Sequence, residues 1–139
     1  MLVKEIMTKE VVTIEPNDTV FDACIKYRDK KVGCLVVVDK EICVGIVTER
    51  DLIERTICMC KDPEKTGIAE IMSSNIKTIH ALEKVEKAME IMKKHKIKKL
   101  PVILGENIVG IITVTDISGA RSDISKRFID SWIKPRWRE

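Results

Sequence analysis

Aromatic side chains are scarce in this sequence: 139 residues hold five, and three of them, Phe128, Trp132 and Trp137, fall within the last twelve positions. A core must therefore come from aliphatic packing. Long apolar runs are missing as well. Residues 35–38 and 108–112 are the longest, against the roughly 20 needed to cross a bilayer as a helix, so no membrane partner is expected. Met1-Leu2-Val3-Lys4-Glu5 shows neither the basic start nor the apolar stretch of a secretory leader; a cytoplasmic protein is expected. Five cysteines among 34% charged residues do not make a secreted disulfide scaffold. Cys24, Cys34 and Cys43 fall on apolar positions of expected elements and read as small hydrophobes. Cys58 and Cys60 form a lone C-x-C with no ligand-like spacing to His80 or His95, and a zinc site needs three or four ligands, so no metal is expected. The chain offers no paired carboxylates, no nucleophile with a nearby base, and neither GxxxxGK[ST] nor GxGxxG. An enzyme is the weakest reading, and no catalytic residue is assigned.

What the chain does contain is one unit used twice. Gly45-Ile46-Val47-Thr48-Glu49-Arg50-Asp51 recurs 65 positions later as Gly110-Ile111-Ile112-Thr113-Val114-Thr115-Asp116. The same offset brings Glu5-Ile6-Met7 onto Glu70-Ile71-Met72, Thr13-Ile14 onto Thr78-Ile79, and Leu35 and Val37 onto Leu100 and Val102. Repeats of this kind decide architecture. Each copy reads as a strand running into a helix near its threonine. Unpaired N–H groups of a first helical turn suit an anion, and an aspartate one turn on could accept a pair of hydroxyl donors. The alternative is that Thr48 and Thr113 only cap helices and that Asp51 and Asp116 only offset the helix dipole.

The periodicities predict strand, helix, strand, strand, helix in each repeat. In the first, residues 11–14 form a strand and Asp18 or Thr19 caps a helix with Val20, Ala23, Cys24 and Tyr27 inward, which Gly33 ends. Residues 34–38 and 43–47 form a hairpin, and a helix over 48–60 follows with Leu52 and Ile53 on its apolar side. In the second, the first strand is expected at 76–79, the helix turns Val85, Ala88, Met89 and Met92 to the core, and Gly105-Glu106-Asn107 makes the hairpin turn. The expected fold is α+β, two β-α-β-β-α repeats packed sheet to sheet about a pseudo-twofold axis. Its parts are a first repeat over 1–60, a linker at 61–67, a second repeat over 68–120 and a tail over 121–139. A chain of this length would bury roughly 68 to 70% of its unfolded surface.

The ordered pattern M-T-x-x-V-V-T-I, V-G-C-L-V-V-V-D and G-I-V-T-E-R-D, followed by Ile71-Met72, Lys98-Lys99-Leu100-Pro101-Val102 and the second closing motif, resembles the cystathionine β-synthase (CBS) type of regulatory domain, which comes in tandem pairs. The resemblance covers residues 1 to about 118. It implies clefts between the repeats that hold adenosine-type ligands: AMP, ADP, ATP or S-adenosylmethionine. The aspartate would take the ribose hydroxyls, the preceding hydroxyl would lie near phosphate, and the base would lie against the partner repeat. Carried over, one cleft comprises Asp116, Thr113, Thr115 and Lys98, with Met7, Thr8, Val12, Val32 and Gly33 around the base. The other comprises Asp51, Thr48 and Arg50, with Met72, Ser73, Lys77, Ile97 and Lys98. The basic run 93–99 reads either as a phosphate contact or as lysines that complement a helix end.

These expectations make the protein a stand-alone ligand-sensing module that signals to an effector protein, with the adenosine ligand as its regulatory molecule and no required cofactor. The resemblance also implies a disk-like homodimer formed through helices. An alternative function rests on the tail, where Ile124, Phe128, Ile129, Trp132 and Ile133 alternate with Arg121, Lys126, Arg127, Lys134, Arg136 and Arg138. That segment is expected to pack on its own module or a dimer mate; binding of nucleic acid or another partner is the competing reading.

Overall fold

The computed structural model describes residues 1–120; the expectations for the tail fall outside them. In chain order the elements are α1 (Val3–Ile6), β1 (Thr13–Ile14), α2 (Val20–Lys30), β2 (Cys34–Asp39), β3 (Ile42–Thr48), α3 (Glu49–Leu52) continued by a wider helical turn over Ile53–Ile57, α4 (Ile68–Ile71), β4 (Ile79–His80), α5 (Val85–His95), β5 (Lys99–Leu104), β6 (Asn107–Thr113) and α6 (Val114–Ala120). The strand-helix-strand-strand-helix order appears twice, as the repeat requires, and the class is α+β.

Two compact units emerge, and they interleave in sequence. One gathers Val11–Ile76 with Glu106–Ile108; the other gathers Met1–Glu10, Lys77–Gly105 and the described residues from 109 onward. In the first unit β1 runs parallel to β2, and β2 pairs antiparallel with β3, with a register shift at Val37/Val38. Its core joins Ile14, Val20, Ala23, Leu35, Val37, Val47 and Leu52 with Ile68 and Ile71 of α4. In the second unit β4 runs parallel to β5, which lies beside β6. Its core joins Val85, Ala88, Met92, Leu100, Val102, Ile112 and Ile117 with Val3 of α1. The short lead-in that opens each repeat thus completes the core built on the other repeat's strands. Backbone bonds hold both lead-ins: Val3 N–H to Glu83 O at 2.8 Å and Val85 N–H to Met1 O at 3.0 Å in one unit, Ile68 N–H to Asp18 O at 2.8 Å and Ala69 N–H to Pro16 O at 3.0 Å in the other.

Several local expectations change. The first strands are only two residues long, and β4 sits at Ile79–His80 rather than 76–79. Thr19 is the residue that caps α2: its hydroxyl accepts from Asp22 N–H at 3.1 Å while Thr19 N–H donates to Asp22 Oδ2 at 2.9 Å. That backbone N–H, with the hydroxyl second, holds the Asp22 carboxyl below its ordinary range. The helix ends at Lys31, in the left-handed conformation at φ 52°, before Gly33 is reached; Lys96 ends α5 the same way at φ 54°. Cys24, expected inward, is exposed.

The largest departure is in the helix after Thr48. Cys58 N–H bonds to Ile53 O at 2.9 Å and Lys61 N–H to Thr56 O at 3.0 Å, each five residues back. A turn of that width rotates the face that follows it. Ile53, at the start of that turn, is 55% exposed, while Thr56 within it is fully buried with its hydroxyl unpartnered. Together Phe21, Tyr27, Ile53, Ile57 and their neighbours line an apolar groove of about 390 Å³ on the first unit.

Candidate functional site

Each unit carries one copy of the closing motif, and in each the glycine has a packing reason. A Cβ on Gly110 would stand 2.6 Å from Met7 Sδ and 2.9 Å from Thr8 O; one on Gly45 would stand 2.7 Å from Met72 Sδ and 2.9 Å from Ser73 O. The missing side chain lets a lead-in lie flat across the strand. There it exchanges backbone bonds, Thr8 with Ile111 at 2.8 and 2.9 Å and Ser73 with Ile46 at 2.9 and 3.0 Å. Thr8 and Ser73 are thereby brought to the strand ends where the helices carrying the aspartates begin.

In the unit with Asp116, Thr113 N–H donates to Asp116 Oδ2 at 2.9 Å, and Asp116 N–H donates to the Thr113 hydroxyl at 3.1 Å. The two residues make a reciprocal helix cap. The Thr8 hydroxyl adds bonds to Oδ1 at 3.0 Å and Oδ2 at 3.2 Å. A carboxylate has about four acceptor positions and a threonine hydroxyl keeps its proton when it caps, so capping leaves both groups able to meet a ligand. Lys98 enters through its backbone, whose carbonyl accepts from Val114 N–H at 3.0 Å. Thr115 is exposed on the first turn of α6, and Met7 is half-buried beneath Gly110.

In the unit with Asp51, the cap is the same: Thr48 N–H to Asp51 Oδ2 at 2.9 Å and Asp51 N–H to the Thr48 hydroxyl at 3.3 Å. The surroundings are not. Arg55, which is not among the expected site residues, puts one guanidinium nitrogen 2.9 Å from Ile71 O, 3.4 Å from the Ser73 hydroxyl and 3.8 Å from Asp51 Oδ1. Asp51 is buried, at 8% exposure, whereas Asp116 is half-buried. Arg50, one of the carried-over site residues, turns to Glu54 at 3.3 Å on the surface. The signal for Arg55 was available in the repeat itself, because position 120, its counterpart at an offset of 65, is alanine.

The remaining site residues divide by unit. Val12 and Val32 pack against the core of the Asp51 unit, and Gly33 is exposed just before β2. Lys77, exposed before β4, and Ile97, packed on the core, belong with the Asp116 unit. Both threonine–aspartate pairs thus cap their helices. Among the described residues no group of three or more His, Cys, Asp or Glu could hold a metal ion, and no helix is long and apolar enough to cross a membrane.

The CBS domain family model matches residues 3–57 and 68–123. The CBS domain-containing protein YhcV of Bacillus subtilis is 32% identical over 116 residues, covering 84% of this chain and 82% of that protein. Among solved structures, the conserved CBS domain protein TA0289 of Thermoplasma acidophilum superposes with a TM-score of 0.81 at 30% identity, covering 93% of this chain and 74% of that one. The hexameric CBS-CP12 protein of bloom-forming cyanobacteria superposes with a TM-score of 0.76 at 33% identity, covering 84% and 66%.

Proposed function

This chain belongs to the CBS domain family, a family of regulatory modules with signalling roles, and we propose that it senses an adenosine-type ligand and passes its occupancy on to a partner protein. AMP, ADP, ATP and S-adenosylmethionine share the half that the aspartates would read. The observation that carries this reading is the cluster around Asp116. A carboxylate with acceptor capacity left, the hydroxyls of Thr8 and Thr113, and the backbone of Lys98 all come together in one unit. A vicinal diol would replace the Thr8 hydroxyl on the carboxylate, and Thr113, Thr115 and Lys98 would face the phosphate or its equivalent. Thr48 and Asp51 form the second, differently furnished site. The roles are binding roles and not catalytic ones, and the ligand is regulatory.

Removing a charged acceptor for two hydroxyls costs about 2 to 4 kcal/mol, roughly 30- to 1000-fold in affinity. Asp116→Ala should show that loss in calorimetric titration with AMP and with S-adenosylmethionine. It should also lower unfolding stability by about 0.5 to 2 kcal/mol, because the cap goes with the carboxylate. Unchanged affinity for both ligands would remove the assignment.

The apolar groove between α2 and the turn after α3 supports assembly as a homodimer. Phe21 is 45% exposed, Ile53 55% and Ile57 63%, a patch that favours burial against a second copy. Ile57→Glu should then halve the mass seen by light scattering at tens of micromolar, while a wild-type monomer under those conditions would refute the dimer.

A further inference from the structure

We propose that Arg55 holds the Asp51 site shut, so that the two copies of the motif bind unequally: the Asp116 site fills first and the Asp51 site only when the guanidinium moves. This rests on the adenosine reading above and adds its regulation.

At an offset of 65 the residues around the two aspartates correspond one to one: Ile71 to Ile6, Ser73 to Thr8, Asp51 to Asp116 and Arg55 to Ala120. With alanine at 120, the Thr8 hydroxyl reaches the carboxylate directly, at 3.0 and 3.2 Å. With arginine at 55, a cation stands between hydroxyl and carboxylate. Its nitrogen donates to Ile71 O at 2.9 Å and Ser73 Oγ at 3.4 Å and lies 3.8 Å from Asp51 Oδ1. Asp51 Oδ2 already accepts from Thr48 N–H, whereas Oδ1 has no hydrogen bond within the cap. The less committed oxygen, Oδ1, is the one that faces Arg55. Planar guanidinium donors are preorganised for carbonyl acceptors, and the bond to Ile71 O holds this one where a ligand hydroxyl would have to approach Asp51 Oδ1.

The arginine is also displaceable. Its side chain is 48% exposed and its approach to Asp51 is long, so solvent screening keeps the ion pair weak. The firm bond is the one to the Ile71 carbonyl, which no ligand hydroxyl on Asp51 needs. A ligand whose anionic group draws the guanidinium off that carbonyl would open the site, whereas an uncharged adenosine would not.

The test uses the full chain and AMP as the probe, with titration calorimetry and native mass spectrometry on wild type, Arg55→Met, Asp116→Ala and the Asp116→Ala, Arg55→Met double variant. Methionine keeps the packed stem and removes the guanidinium, and circular dichroism confirms folding of each variant. The expected result is one AMP per wild-type chain at concentrations that saturate the Asp116 site, with the second at least about tenfold weaker. Arg55→Met should take up two. Asp116→Ala should take up none in that range, and the double variant should regain one. Two equivalent AMP molecules on wild type, or weaker binding at the Asp51 site once Arg55 is removed, would overturn the gate while leaving the adenosine reading standing. Absence of AMP binding from wild type and every variant would overturn both.

Discussion

Asp51 and Asp116 occupy the same step of a duplicated unit and make the same helix cap, yet one is met by a guanidinium and the other by a threonine hydroxyl. The cap is common to both because a helix that begins directly after a strand needs its first donors satisfied whatever else happens. The divergence lies in what surrounds the cap, at Arg55 against Ala120 and Ser73 against Thr8. Duplication has kept the frame and altered the neighbours, which is how one unit used twice can offer two unlike sites.

The comparison can be broken most severely by removing one lead-in. Deleting residues 1–8 takes Val3 from the core of the Asp116 unit and Thr8 from the carboxylate. Loss of a fully buried aliphatic side chain and of the paired backbone around it should cost about 3 kcal/mol or more. Hydrogen exchange should show protection falling over β4, β5 and α5 while β2 and β3 of the Asp51 unit keep theirs. Equal loss in both units would mean that the lead-in does not belong to one core.

A gentler probe sets Thr8 against Ser73. Thr8→Val removes a hydroxyl whose one proton is shared between the two oxygens of Asp116 and should lower stability by about 1 kcal/mol. Ser73→Ala removes only a 3.4 Å contact with Arg55 and should stay within about 0.5 kcal/mol of wild type. Urea melts of the pair decide it; matching shifts would show that the hydroxyls are interchangeable.

The smallest expected difference lies in the hairpins. The turn between β2 and β3 places Lys40 at φ 51° and Glu41 at φ 72°, while the turn between β5 and β6 places Gly105 at φ 67°. Two-residue turns with both residues left-handed favour asparagine followed by glycine. Glu41→Gly should therefore raise stability by about 0.5 to 1 kcal/mol, and Gly105→Glu should lower it by a similar amount. A thermal melt in which Glu41→Gly is less stable than wild type would contradict this account.

Much of the fold was legible in the sequence because the repeat is strict where packing is strict. The offset of 65 located the strands, the core helices and the closing motifs, and Val85, Ala88 and Met92 face inward as their spacing required. Helix ends were not legible, since a lysine in the left-handed conformation at positions 31 and 96 carries no glycine signal. Nor was the widened turn after Leu52, because nothing in Ile53-Glu54-Arg55-Thr56-Ile57 announces a hydrogen bond five residues long. Ile53, expected inward, is exposed at the start of that turn. Of the two sites, the paired threonine and aspartate could be read from the motif alone. Arg55 could be found only by asking where the copies differ, and the reason for Gly45 and Gly110 only by seeing a methionine laid across each.

The interleaving of the two units has a consequence for synthesis. Met1–Glu10 leaves the ribosome well before the strands and helix it completes, which lie between Lys77 and Thr113. That segment, with Val3 and Met7 exposed, must wait for its place until those elements are made. The segment with Ile68 and Ile71 meets strands that are already made. One unit can therefore close its core while the chain is still growing, and the other must draw back residues synthesised much earlier, so refolding from denaturant and folding during translation need not follow the same order.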